Sequence, residues 1–158
     1  MKTSWTVALA YAALSAVTGA ALAAEPEVVV RSTKGEFKDV KERVLMAIEN
    51  RGLVLNYTAR IGAMLERTGR DIGRTRAVYS DAEMLEFCSA RLSRDTMEAD
   101  PRNIAFCPYA IALYALPKEP GRVYVAYRRL GTSASPQSEK SLRAVEKLLA
   151  DIVAEALK

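Results

Sequence analysis

The chemistry this chain can do rests on two thiols. Cys88 and Cys107 are its only cysteines, each preceded by a phenylalanine, with eighteen residues between them. The sequence contains no histidine, which removes the Ser-His and Cys-His arrangements of nucleophilic catalysis. Zinc would need carboxylates to complete two thiolates, a poor match to structural zinc sites. Copper(I) favours soft ligands, and Met84 and Met97 lie near in sequence, although methionines there more often fill a core. No metal site is expected, and no cofactor. The spacing is far from C-x-x-C, so a thioredoxin-like mechanism has no support.

Three readings of the pair remain. A disulfide would close a loop of about twenty residues and stabilise the fold by roughly 3 kcal/mol. A redox-active pair is the second, with Cys88 activated by the N-terminus of a helix starting near Ser89. Two unrelated buried thiols, behaving as small hydrophobes, are the third.

Other constellations are thinner. Tyr109, Tyr127 and Arg128, with Tyr114, Tyr124 and Arg129 around them, are candidates to bind an anion or a planar ligand. Aromatic residues in a hairpin equally suit a core or a dimer surface. Glu83 and Glu86, three apart, read as a solvated face. No glycine-rich phosphate loop follows a strand. No catalytic set emerges.

The compartment decides how the thiols are read. Lys2 and an apolar run from Trp5 to Gly19 precede Ala21-Leu22-Ala23, an A-x-A pattern predicting a secretory signal over residues 1–23 with cleavage before Ala24. The run is short and interrupted by small and polar residues, and no second apolar span follows, so no stable membrane anchor is expected. The mature chain is then periplasmic or secreted, where disulfides persist. Removing Lys2 takes the formal charge from +4 to +3. The charges alternate in sign without a basic cluster, so no nucleic-acid partner is expected.

Residues 24–158 suit a single domain. Val28 to Thr33 is β-branched and reads as a strand. Phe37, Val40, Val44 and Ile48 recur at helical spacing, with Gly52 placed to end the helix. Leu53 to Ile61 reads as a second strand. Met64 and Leu65 suggest one short helical turn, while Gly69 and Gly73 among arginines read as loop. Residues 81–99 fit either one long helix or a strand, "EMLEFC", followed by a helix capped by Ser89. Tyr109 to Leu116 and Arg122 to Leu130 form a hairpin around "KEPG". Ser135 and Pro136 open a last helix with Leu142, Val145, Leu149, Ile152, Val153 and Ala156 on one stripe.

The segments "AEMLEFCSARLS", "MEADPRNIAFCPYAIALY" and "VYVAYRR", in this order, resemble the bacterial domain-of-unknown-function family 302. The resemblance implies a two-layer α+β fold of the TATA-binding-protein-like type, with a mainly antiparallel sheet and helices on one face. It also implies a homodimer, and puts Cys88 at a strand end, which favours strand-then-helix over 81–99. Where many members carry Cys-Asn-Pro, this chain has Cys88-Ser89-Ala90. The family brings no activity with it; its exported members suggest accessory roles near sulfur or electron-transfer chemistry. The expectation is an exported, non-enzymatic binding or accessory domain centred on Cys88 and Cys107, with a periplasmic protein or small ligand as partner. The alternative is a thiol-redox or sulfur-carrying protein.

Overall fold

The computed structural model describes residues 27–131 and 135–158. The expected signal segment, 1–23, lies outside them. Among the described residues, five strands and four helices follow one another in the order β1 (Val28–Lys34), α1 (Phe37–Glu49), β2 (Val54–Ala59), α2 (Ile61–Asp71), β3 (Asp81–Cys88), α3 (Ala90–Ala99), β4 (Tyr109–Ala115), β5 (Arg122–Arg128) and α4 (Pro136–Ala156). A 3₁₀ segment, Pro101–Phe106, lies between α3 and β4. The strands form one sheet in the order β1-β5-β4-β3-β2, antiparallel at every step. This is the two-layer α+β arrangement expected. No helix among the described residues is long and apolar enough to cross a membrane.

Alternation in the central strands separates two faces. Leu85 and Phe87 of β3, Tyr109, Ile111 and Leu113 of β4, and Val123, Val125 and Tyr127 of β5 are buried together. Against them lie Val40, Val44 and Ile48 of α1 and Leu142, Val145, Leu149 and Ile152 of α4. Each large side chain so buried contributes about 1.5–3 kcal/mol. β1 and β2 occupy opposite edges, so α1, which joins them, has to cross the sheet. α4 runs beside it, tied by Arg43 donating to the Ala156 carbonyl (3.0 Å) and by an Arg51–Glu155 ion pair (2.7 Å).

The caps are where local chemistry puts them. Ser89 accepts from the Leu92 amide at the start of α3, and Ser135 from the Ser138 amide at the start of α4. Strand-then-helix is therefore the arrangement over 81–99. At the end of α1, Gly52 has φ +68°, two residues beyond the capping Asn50.

One stretch departs from expectation. Residues 61–71, read mostly as loop, form a full helix, and both glycines serve its C-terminus. Gly73 adopts φ +70°, its amide donates to the Arg70 carbonyl, and the Arg74 amide donates to the Gly69 carbonyl at 2.7 Å. These bonds satisfy carbonyls that a helix end leaves unpaired. The returning chain then presses the Arg74 carbonyl oxygen to 2.5 Å from where a Cβ on Gly69 would sit. A glycine inside a helix usually signals a break, but here it is required by what packs over it. Replacing an interior helical glycine by alanine ordinarily stabilises by about 1 kcal/mol. Gly69→Ala should instead lower the urea midpoint, because the methyl group forces the Arg74 turn outward; a raised midpoint would contradict this packing.

Candidate functional site

β3 ends in Cys88, and β4 begins two residues after Cys107. Phe87 pairs directly with Tyr109 across the β3–β4 ladder, so both cysteines are drawn to the same end of the two strands. The eighteen residues between them form α3 and the 3₁₀ segment, which leave the sheet and return. The Cys107–Pro108 peptide bond is cis. The two sulfurs lie 3.1 Å apart, with both cysteines half-buried and unbonded.

The surroundings hold Cys88 in its thiol form. Burial pushes its pKa up from 9.0 to about 11, and the hydrogen bond to Cys107 and the negative charge that Cys107 can carry add to this. An amide hydrogen bond from Tyr109 opposes the shift without cancelling it. The direction is opposite to the lowering that a helix N-terminus would bring: desolvation and the neighbouring thiol raise it. At neutral pH Cys88 is a thiol, not a thiolate nucleophile. Ser93 of α3 completes the cluster, with its Oγ 3.7 Å from the Cys107 sulfur and donating to the Tyr109 hydroxyl at 3.2 Å.

A buried polar network fastens the crossover. Asn103 donates from Nδ2 to the Thr96 carbonyl and to Ser138 Oγ, both at 2.8 Å. Thr96 in turn donates to the Ser93 carbonyl. Asp100, held below its ordinary pKa by hydrogen bonds from Arg102, accepts from the Arg102 amide and starts the 3₁₀ segment. Asn103 and Ser138 were not singled out in the sequence. Ser138 stands among polar residues and Asn103 between Arg102 and Ile104, so no local pattern marks either as buried.

The other candidates part company. Tyr109 and Tyr127 lie in the core layer, 3% and 9% exposed, and burial pushes both phenols above their ordinary pKa. Arg128 follows Tyr127 in β5, so it projects from the opposite face of the sheet and is exposed. The three therefore do not line a common pocket. Tyr114 and Tyr124 do meet, stacked with ring centres 4.9 Å apart on the face away from the core, and Tyr79 packs against Tyr114. Met84 sits four residues before Cys88 on an extended strand, roughly 13 Å away by strand rise. It cannot share a coordination shell with Cys88, and the copper reading loses that ligand. A cleft of about 1360 Å³ opens between α2, the 72–80 turn and the start of β3. Neither cysteine lines it.

The fold and these residues define a two-layer α+β domain with a five-stranded antiparallel sheet and a dithiol at one end of its central strands. The family model described as "Domain of unknown function DUF302" matches residues 28–157, and the chain belongs to that family. The fold is similar to that of the crystal structure titled "uncharacterized conserved protein DUF302 from Bacillus stearothermophilus", with a TM-score of 0.69. Identity is 14%, and the match covers 84% of this chain and 98% of that one. No curated protein matches the chain.

The raised pKa of Cys88 has a signed consequence for the reduced protein. The fold favours the protonated thiol, so that contribution is whole below about pH 9 and is lost as pH rises towards about 11. Tyr109 and Tyr127 act in the same direction; Cys88 adds only the last and smallest contribution to the shift of Tyr109 and none to that of Tyr127. Urea unfolding of reduced protein should show stability falling across this window more steeply than in Cys88→Ser. Parallel pH profiles would contradict the assignment.

Proposed function

We propose that this chain is an exported, non-enzymatic accessory domain whose working group is the Cys88/Cys107 dithiol. The observation that carries the reading is the 3.1 Å contact between the two sulfurs. Thiols already in contact need little movement of their side chains to form a bond. Oxidation would join the sulfurs, releasing two protons and two electrons to a disulfide donor of an oxidising compartment. The bond would tie the end of β3 to the approach to β4 and lock the crossover over the core. Export is supported by the N-terminal pattern of Lys2, the apolar run and Ala21-x-Ala23.

Access supports a second reading, dithiol–disulfide exchange with a periplasmic sulfur or electron-transfer protein. Both cysteines are only half-buried. In that role the pair would cycle between dithiol and disulfide.

Mass measurement after alkylation of the native exported protein, with and without prior reduction, tests the first reading. The expected result is no alkyl group before reduction and two after it. Two alkyl groups on unreduced protein would overturn the crosslink. A redox titration then separates the roles: a structural bond should have a potential below about −300 mV, an exchanging one above it.

A further inference from the structure

We propose that α2 and the 72–80 turn that follows it dock this protein, reversibly, on an anionic phospholipid surface. Residues 60–80 hold arginines at positions 60, 67, 70, 74 and 76, against only two acids, Glu66 and Asp71. Five positive and two negative charges leave a net +3, where the whole chain carries +4. Most of the charge excess therefore sits in this one short stretch. Along the chain these arginines are spread among glycines, threonines and acids, and folding gathers them.

The end of α2 does the gathering. The left-handed turn at Gly73 reverses the chain, and the Arg74 amide donates to the Gly69 carbonyl. Arg60, Arg70, Arg74 and Arg76 then line one cleft, that of about 1360 Å³. Its acids are Glu66, Asp81 and Glu83. Two of these are already engaged, Glu66 with Arg70 at 2.6 Å and Glu83 with Lys41 of α1. Among the described residues Arg60, Arg74 and Arg76 make no ion pair, so three positive charges face Asp81 alone. Ile72 and Val78 line the same cleft and are 59% and 54% exposed.

The form of this cleft selects the partner. All four of its arginines are exposed, so a small anion held there would stay hydrated and each pairing would contribute little. A layer of lipid phosphates engages every arginine at once and attracts them through its own surface potential. Ile72 and Val78 then meet an apolar layer beneath those phosphates, which neither a nucleic acid nor an acidic protein surface offers. α2 suits the role: Ile61, Met64 and Leu65 recur at helical spacing, arginines flank them, and of its 11 residues only Gly69 is buried. A few arginines and two exposed aliphatic side chains give a reversible contact, not an anchor. β3 runs from Asp81 at the cleft to Cys88, roughly 23 Å by strand rise. Docking thus leaves the dithiol at the end of β3 remote from the lipid, open to a soluble partner. The contact itself does not depend on the state of the dithiol.

Cosedimentation of the exported protein with vesicles tests this. The protein should pellet with vesicles of equal parts phosphatidylglycerol and phosphatidylcholine at about 20 mM salt, and not with phosphatidylcholine alone. Raising salt to about 0.5 M should weaken binding at least about tenfold. Arg74→Glu with Arg76→Glu should also weaken it at least about tenfold, whereas Arg31→Glu with Arg91→Glu, the same charge change elsewhere on the surface, should stay within about threefold. Ile72→Ser with Val78→Ser should weaken it about fivefold. Circular dichroism should report one fold throughout, because all six side chains are exposed. No binding, or equal binding to phosphatidylcholine alone, would overturn the proposal. Equal losses in the two arginine pairs would overturn this face. Binding indifferent to the Ile72 and Val78 changes, or displaced by glycerol phosphate better than by chloride at equal ionic strength, would overturn lipid as the partner.

Discussion

Burial of one face of the sheet beneath α1 and α4 is the interaction on which the other features depend. Leu85, Phe87, Ile111, Leu113, Val123 and Val125 present a continuous apolar surface, and the stripes of α1 and α4 cover it. A strand has a period of two and a helix one of 3.6, so each element offers a single face to this layer. Once the layer forms, the faces of the other side chains in β3, β4 and β5 follow, while β2 breaks the alternation at a bulge between Leu55 and Tyr57. Tyr109 and Tyr127 go inward with their neighbours and become packing. Arg128, Tyr114 and Tyr124 go outward. The Lys41–Glu83 ion pair, 2.5 Å long, lies at the margin of the same layer and joins α1 to β3.

That layer also brings the thiols together. Phe87 and Tyr109 are core residues in direct register, with ring centres 6.3 Å apart in an edge-on arrangement. Anchoring the phenylalanine of one Phe-Cys pair opposite the start of β4 leaves Cys88 and Cys107 at one place. The intervening loop is held from the other side by Asn103, whose amide reaches both Thr96 and Ser138. Packing therefore settles both the proximity of the sulfurs and the protonation of Cys88. The family relationship accounts for the architecture, and a shared fold leaves the chemistry to be argued from the site.

Much of this was legible in the residues. The stripe of Val40, Val44 and Ile48, the hairpin around "KEPG" and the Ser135-Pro136 start of α4 are encoded by near neighbours, and they appear as read. α2 was not legible, because Gly69 and Gly73 speak for a break unless the return of Arg74 over Gly69 is known. Residues 81–99 admitted two readings because an amphipathic strand and an amphipathic helix can share apolar positions over a short run. Pairing with both β2 and β4 decided for the strand.

The sequence by itself determined which segments are helices and strands towards both ends of the described residues, where α3 and α4 are capped, and that the two thiols stand in matched frames. These properties depend on spacing and on side chains a few residues apart. Only the tertiary structure decided that the two sulfurs touch, that Cys88 keeps its proton, and that Arg128 and the buried tyrosines belong to opposite faces. Each of those depends on partners brought from distant positions. Their energies come from desolvation and contact across the sheet, which no local pattern records.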